Sequence, residues 1–581
     1  MGKRIVKNGD ATPSHKSSGI SRRHLLAGLG LESLAFLTPS ARAAEPLDGK
    51  APDGIFDVIV AGLGAAGAAA ALEAAEAGST VLIVEKESAE RHCPTTRLSS
   101  GIYLCPDKDT PADVLGHYIA STYIPNGSEA WKSGSMDPEL AASAGIWARL
   151  APETFDWLHS LDPDFRPATS SVFSNLRFST FWEGVRPHIQ ALIATYGKWQ
   201  SFSSSTYGAP KKLKTSGEAL YQCLRTGVDS HPRITTRFAC AADSLVVDGE
   251  RVAGLRVTHQ GKSSVFLARR AVVIATGGFA FNREMREVLL PAAGNPYWGS
   301  SGSPANRGDG IAMALGIGAG LVRASMFFDR FCLLLPPEAG EVRKSVVLDC
   351  LGSPHSFVID NFGHRFAPES DMQDREHHYG FYQTLLQFDQ ATMSFPRAPV
   401  WFVFDERLMR RGPLPMLGEG STVNGLVPWS RDNLDAVRRG WILKASTPEA
   451  LAAEIARHPD NAGRLEKAGF LETLARFNGF AEKGRDEDFD SDPASLGPVS
   501  EGPFYAMPVF IDVPHMAAGI RTDASRRVVR WDGTPVEGLL AAGEAAPVSR
   551  FVHDTGGHLS ECLVFGRHAG RTAARLPKRM P

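Results

Sequence analysis

The chain is poor in cysteine, with seven among 581 residues, and none of them forms a Cys-x-x-Cys pair or a Cys-x-x-Cys-His site. Zinc ribbons, thioredoxin-type dithiols and covalently attached haem require that spacing, so all three are excluded. An excess of charge of either sign is also missing: 62 Lys and Arg against 64 Asp and Glu leave a net charge of −2. Nucleic acid and anionic membrane surfaces are therefore not expected partners. The adjacent histidines of Glu376-His377-His378 are not a metal site, because neighbouring side chains on a strand or helix diverge, and no metal is expected. No internal repeat is visible. What remains is a composition 43% hydrophobic, enough for a large core divided into two or more domains.

A long uninterrupted apolar run is absent as well. The nearest approach, "SRRHLLAGLGLESLAFLTPSARA", is short and broken by Glu32, so no stable membrane span is expected. Its layout is instead that of a twin-arginine export signal: Ser21-Arg22-Arg23, a moderately apolar stretch, then the small-x-small site Ala41-Arg42-Ala43. Residues 1–43 are expected to be removed, leaving a mature chain that begins near Ala44 in the periplasm or outside the cell. This route carries folded proteins, which suits a chain that must acquire a large cofactor before leaving the cytoplasm.

The strongest signal lies in "FDVIVAGLGAAGAAAALEAAEAGSTVLIVEK", residues 56–86. Asp57 to Val60 reads as a buried parallel strand, residues 65–77 as an alanine-rich helix stopped by Gly78, and "TVLIVEK" as a second buried strand. Gly62, Gly64 and Gly67 stand at Gly-x-Gly-x-x-Gly spacing between them, and Glu85 closes the second strand 18 residues beyond Gly67. Gly62 permits the tight turn, Gly64 lets backbone amides approach a pyrophosphate, and Gly67 lets helix and strand pack closely. The helix N-terminus then faces phosphates, while Glu85 accepts bonds from ribose hydroxyls. With strand, glycines, helix, strand and acid in register, the stretch is a dinucleotide cradle.

Further motifs follow in order. "SLVVDGERVAGLRV" predicts a hairpin around Asp248-Gly249, Ala271 to Ala275 a buried strand ending in Thr276-Gly277-Gly278, and "EGLLAAGEAA" a strand running into Gly543-Glu544. "TTRLSSG" (Thr95 to Gly101), "NRGDGIAMALGIGAGL", "VIDNFGHRFAPES", "WFVFDERLMRRGPL", "GRDEDF", "GPFYAMPV", "PHMAAGIRTD" and "HLSECLVFGRHAGRTAA" complete the set. Together they resemble the flavoprotein family of fumarate reductase, the succinate dehydrogenase flavoprotein subunit and the 3-ketosteroid dehydrogenases, over nearly the whole mature chain. The resemblance implies an α/β fold: a Rossmann-like FAD-binding domain of glutathione-reductase type, residues 54–335 and 514–575, with an inserted α+β capping domain at 336–513. It also implies non-covalent FAD, since no histidine lies between Thr95 and Gly101, where covalent relatives carry one. The cofactor residues are then Gly62, Gly64, Ala66, Gly67, Glu85, Lys86, Thr96, Gly101, Thr276, Gly277, Asp309, Glu544, His558 and Leu559.

The same resemblance implies chemistry at the flavin N5, which exchanges hydride with a C–C bond made labile by a neighbouring carbonyl or carboxylate. The protein must supply polar groups around that oxygen and an acid or base on the opposite face. Arg410, beside Arg407 and Arg411, is the leading proton-relay candidate, and Glu369 and Arg375 could continue the relay. His515 of "PHMAAGIRTD" matches the histidine that holds a substrate carboxylate in fumarate reductases. His553 stands where that branch has a second carboxylate-clamping arginine, a departure that makes fumarate itself a poorer fit because histidine lacks arginine's planar fork. The ketosteroid branch is similar through "TGGHLSEC" and "FDERLMRR" and uses tyrosines to polarise a ketone, for which Tyr103 and Tyr505 are available. The expectation is an exported FAD oxidoreductase resembling fumarate reductase and reducing an unsaturated acid. A ketosteroid-type dehydrogenase and a non-catalytic flavin-binding electron carrier are the alternatives. With no haem site encoded, electrons would pass through a separate cytochrome or quinone.

Overall fold

The computed structural model describes residues 44–47, 51–99, 101–124, 126–165, 168–169, 189–193, 216–290, 297–322, 325–326, 331–338, 340–348, 350–369, 384–391, 393–415, 426–548 and 556–579. The proposed export signal, Arg375, the Glu376-His377-His378 run and His553 lie outside them. Among the described residues no helix is long and apolar enough to cross a membrane.

The fold is organised by two sheets. The first is built from β1 (Ala44–Pro46), β2 (Gly54–Ala61), β3 (Val81–Val84), β4 (Ile234–Arg237), β5 (Cys240–Asp248), β6 (Arg251–His259) and β7 (Lys262–Ile274), with two late strands described below. Strands β2, β3 and β4 are parallel neighbours, with Val58 opposite Val81 and Val81 opposite Ile234. The apolar residues of β2 and β3 alternate between two cores: Ile59 and Leu82 face one, Val58, Val60 and Ile83 the other. Burial on both faces is what a continuous apolar run in a parallel sheet demands.

The second sheet is assembled from β8 (Phe331–Leu334), β9 (Ser345–Val347), β10 (Ser356–Ile359), β11 (Val400–Asp405), β12 (Leu443–Ala445) and β13 (Phe504–Ile511). Its order is β9-β8-β13-β11-β10 with β12 alongside β13, and all the pairings are antiparallel. It begins at Phe331, five residues before the expected start of the cap. The chain then returns to the first sheet through β14 (Arg527–Val529) and β15 (Pro535–Ala541), where β15 lies parallel to β7. The predicted hairpin is β5–β6, with Asp248 opposite Arg251. The predicted strand at Ala271 is the second half of a longer β7, whose first half pairs with β6 and whose second half runs parallel to β2.

Two helices hold the nucleotide end of this sheet. Helix α1 (Ala65–Glu76) is almost wholly buried against α5 (Gly557–Arg575), the last helix of the chain. Small residues permit the contact: a Cβ on Gly566 or Gly570 would lie 2.5 or 2.2 Å from the Ala66 or Ala70 carbonyl oxygen. Polar bonds fix the register, since Glu73 on α1 accepts from Arg567 Nε at 2.6 Å and from Arg571 Nε at 2.7 Å. The alanine-rich stretch is thus a helix that must approach another backbone closely. Its dense packing brings the N-termini of α1 and α5 to the same cleft.

Candidate functional site

A cleft of about 390 Å³ opens at the carboxyl ends of β2, β3, β7 and β15. At its floor Gly62 takes φ of +99°, and a Cβ there would sit 2.4 Å from the Ala275 carbonyl oxygen. A Cβ on Gly67 would sit 2.0 Å from the Gly62 carbonyl oxygen, so both glycines are demanded by close backbone approach. Gly64 differs. A Cβ there meets only Thr96 Oγ1, at 3.7 Å, and Gly64, Ala65 and Ala66 line the open cleft. The first amides of α1 have no carbonyl one turn earlier to bond and form an anion-binding end. Thr96 Oγ1 accepts one of them, from Ala65, at 3.0 Å.

Glu85 ends β3 at the wall of the cleft, where its carboxylate accepts from the Leu63 and Glu87 amides, each at 3.0 Å. Burial pushes this acid up, but His92 and those amides outweigh it and hold Glu85 below the usual carboxylate range. Lys86 and Asp309 also line the cleft and pair at 2.5 Å, with Asp309 opening helix α3 (Asp309–Leu315). Thr276, Gly277, Glu544, His558 and Leu559 line it as well, whereas Gly67 and Gly101 do not. Glu544 accepts from the Met516 amide at 2.9 Å and from Asn306 Nδ2 at 3.0 Å, and desolvation by the surrounding walls pushes its carboxyl up to about 7.

Of the residues expected to act on a substrate, His515 reaches the cleft. Its ring lies against that of His558, centroid to centroid 4.2 Å, at the N-terminus of α5. The other candidates among the described residues are elsewhere. Arg410 ends the short helix α4 (Glu406–Arg410), is 69% exposed at its side chain, and pairs with Glu406 at 2.8 Å and Glu501 at 3.6 Å. The one-turn spacing from Glu406 turns it toward that carboxylate, on the outside of the second sheet. Arg407 and Arg411 are likewise engaged locally, with Asp405 and Ser353. Exposed ion pairs contribute little, so Arg410→Ala should leave kcat/KM within about twofold of the parent in steady-state assays.

Glu369 is buried and bound by Arg365 Nε at 2.8 Å, and Arg365 also pairs with Asp486 at 2.7 Å. This is an internal ion pair, and none of its members lines the cleft. Tyr505 is buried in β13, stacked on Phe404, with its hydroxyl donating to Glu406 at 2.6 Å. It packs the second sheet and does not face the cleft. Tyr103 is fully buried within the first sheet's core.

Two residues of the site escaped the sequence reading. Asn306, within the quoted "NRGDG" motif, donates to both Glu544 and Thr95 Oγ1, at 3.0 Å each, and so joins three segments of the cleft. His92 reaches Glu85 from the loop after β3, and nothing in the local pattern marks it. Glu85, Glu87 and His92 bring three groups of metal-ligand type within 4.8 Å. Their carboxylates, however, already receive backbone amides, from Leu63 and Glu87 at Glu85 and from Cys93 at Glu87.

The chain matches the family model described as FAD binding domain over residues 57–557. It is similar to the 3-oxosteroid 1-dehydrogenase of Mycolicibacterium smegmatis, at 28% identity covering 88% of this chain and 96% of that protein. It is also similar to the NADH:fumarate oxidoreductase of Klebsiella pneumoniae, at 24% identity covering 92% of this chain and 49% of that protein. Among solved structures, the 3-ketosteroid delta1-dehydrogenase from Sterolibacterium denitrificans superposes with a TM-score of 0.65 at 21% identity, covering 90% of this chain and 99% of that one. At that identity the likeness is one of fold.

Proposed function

Because the chain belongs to the FAD-binding domain family and is an FAD-dependent oxidoreductase, we propose that it transfers hydride between the flavin and a C–C bond adjacent to a ring ketone. The cleft fits the cofactor: Gly64 leaves room where a side chain would intrude, the end of α1 offers amides to phosphates, and Glu85 offers a carboxylate to a ribose. When bound, FAD supplies the hydride chemistry, and the protein's share is to bind, orient and polarise the substrate. His515, from the segment following β13, can donate to the substrate oxygen, with His558 packed against its ring.

One observation favours a ketone over a dicarboxylate. Among the described residues, the only arginine lining the cleft is Arg307, which is tied to Glu341 at 2.6 Å, and Lys86 is tied to Asp309. A dicarboxylate needs a cationic fork at each end, whereas a ketone needs one oriented donor. The Mycolicibacterium smegmatis relative, named for a 3-oxosteroid, supports this reading. Reduction of an unsaturated acid is the second reading, supported by the Klebsiella pneumoniae relative and by His515 within "PHMAAGIRTD". The residue pattern of 1–43 supports export, and a separate cytochrome or quinone would then carry the electrons.

Anaerobic stopped-flow spectroscopy separates the two readings. The oxidised holoenzyme should lose its flavin absorbance on mixing with a saturated 3-oxosteroid or a cyclohexanone. Dithionite-reduced enzyme that is reoxidised by fumarate or acrylate, with no bleaching by any ketone, would establish the acid reductase instead.

A further inference from the structure

The loop after β3 carries a polar chain that the proposed chemistry does not use. His92 is 2% exposed, and its two ring nitrogens face different partners. Nε2 lies 3.3 Å from Glu85 Oε2, and Nδ1 lies 2.7 Å from the Tyr221 hydroxyl on helix α2 (Ser216–Ser230). The ring is wedged edge-on between Tyr221 and Phe238, at centroid distances of 5.4 and 5.6 Å. One helical turn beyond Tyr221, Arg225 Nη1 donates to the same phenol oxygen at 3.2 Å. Arg97 closes the loop by donating to the His92 carbonyl at 3.0 Å.

These contacts have a direction. Arginine only donates, so the Tyr221 oxygen accepts from Arg225 and its own hydrogen is available for His92 Nδ1. A neutral imidazole that accepts at Nδ1 carries its proton on Nε2, the nitrogen facing Glu85. With His92 as that tautomer, the chain Arg225, Tyr221, His92, Glu85 points every hydrogen toward the carboxylate at the cofactor cleft. Glu85 also receives the Leu63 and Glu87 amides, which leaves its remaining acceptor capacity turned to the cleft it lines.

We propose that His92 is a positioning residue for FAD, holding the Glu85 carboxylate in the orientation that receives the ribose hydroxyls, with Tyr221 and Arg225 fixing the imidazole. The proposal rests on the reading of Glu85 as the ribose acceptor. Coupling of this kind places control of cofactor affinity on α2, far along the chain from the glycine turn.

The test uses holoenzyme and reads FAD release by the recovery of flavin fluorescence on dilution. Glu85→Gln and His92→Phe should each raise the FAD dissociation constant about tenfold, the scale of a charge-assisted hydrogen bond. The double variant should be no worse than the weaker-binding single, because both remove one unit. His92→Gln, which keeps an N–H donor, should recover most of the loss. Tyr221→Phe keeps the ring contacts and removes only the hydroxyl, so it should weaken FAD about threefold without lowering the unfolding temperature of the apoprotein, which keeps the proposal testable if His92→Phe folds poorly. If Glu85→Gln leaves FAD affinity unchanged, the ribose reading itself is wrong. If Glu85→Gln weakens FAD while the His92 and Tyr221 variants do not, or while the losses multiply in the double variant, His92 has no positioning role.

Discussion

Gly64→Leu should yield a folded protein that purifies without yellow colour. Gly64 has an ordinary φ of −88° and caps α1, so a side chain there causes no backbone strain. Its added atoms would point into the cleft, where Thr96 Oγ1 at 3.7 Å is the nearest neighbour of a Cβ. A branched side chain in that space would stand between the helix N-terminus and a pyrophosphate, and FAD affinity should fall at least about a hundredfold, or roughly 3 kcal/mol. Absorbance at the flavin bands and FAD titration of the purified variant measure this directly. Gly67 is the contrasting position: its Cβ would overlap the Gly62 carbonyl at 2.0 Å, so Gly67→Leu would disturb the turn itself. A Gly64→Leu protein that keeps its full complement of FAD would remove the cradle from the account.

His515→Ala should keep the flavin spectrum and lose turnover, with kcat/KM reduced about tenfold to a thousandfold, as for removal of an oriented polar group from a reacting oxygen. His515 approaches the cleft from the segment that follows the second sheet, not from the glycine turn, which is why cofactor content should not change. A loss confined to KM would indicate that the side chain binds substrate without favouring the transition state. Retention of full activity would leave His558 or another cleft residue as the substrate-side donor. Comparison with Arg410→Ala, on the exposed flank of the second sheet, tests whether the effect follows position rather than charge.

The cradle was legible because its logic is local. Gly62, Gly64, Gly67 and Glu85 lie within one strand-helix-strand unit; Gly62 and Gly67 answer backbone approaches that only a residue without Cβ allows, and Gly64 keeps the cleft open. The hairpin at Asp248 and the strand at Ala271 were legible for the same reason, although β7 proved longer because one strand serves both the hairpin and the parallel layer. Arg410 was not legible. Whether an arginine at the end of a one-turn helix faces substrate or solvent depends on which side of α4 packs, and Leu408 and Met409 take the buried side. The placement of Tyr505 was equally beyond the sequence: period-two alternation in β13 sets its ring on Phe404 rather than toward the cleft. His92 carried no readable signal and Asn306 only its place in the "NRGDG" motif, since their partners sit on separate elements: His92 meets Tyr221, 129 residues away, and Asn306 meets Glu544, 238 residues away.

From residue order alone came the nucleotide turn, because short-range spacing of glycine, β-branched and acidic residues dictates backbone geometry within a few turns of chain; the α/β class, the family and its cofactor came from the resemblance of the ordered motifs to a flavoprotein family. Folding in three dimensions decided which polar side chains meet at the cleft, setting His515 beside His558, His92 against Glu85, and Arg410 out in solvent. Those placements arise from how separate elements pack, as where Tyr221, 129 residues further along the chain, fixes His92, and no local pattern encodes them.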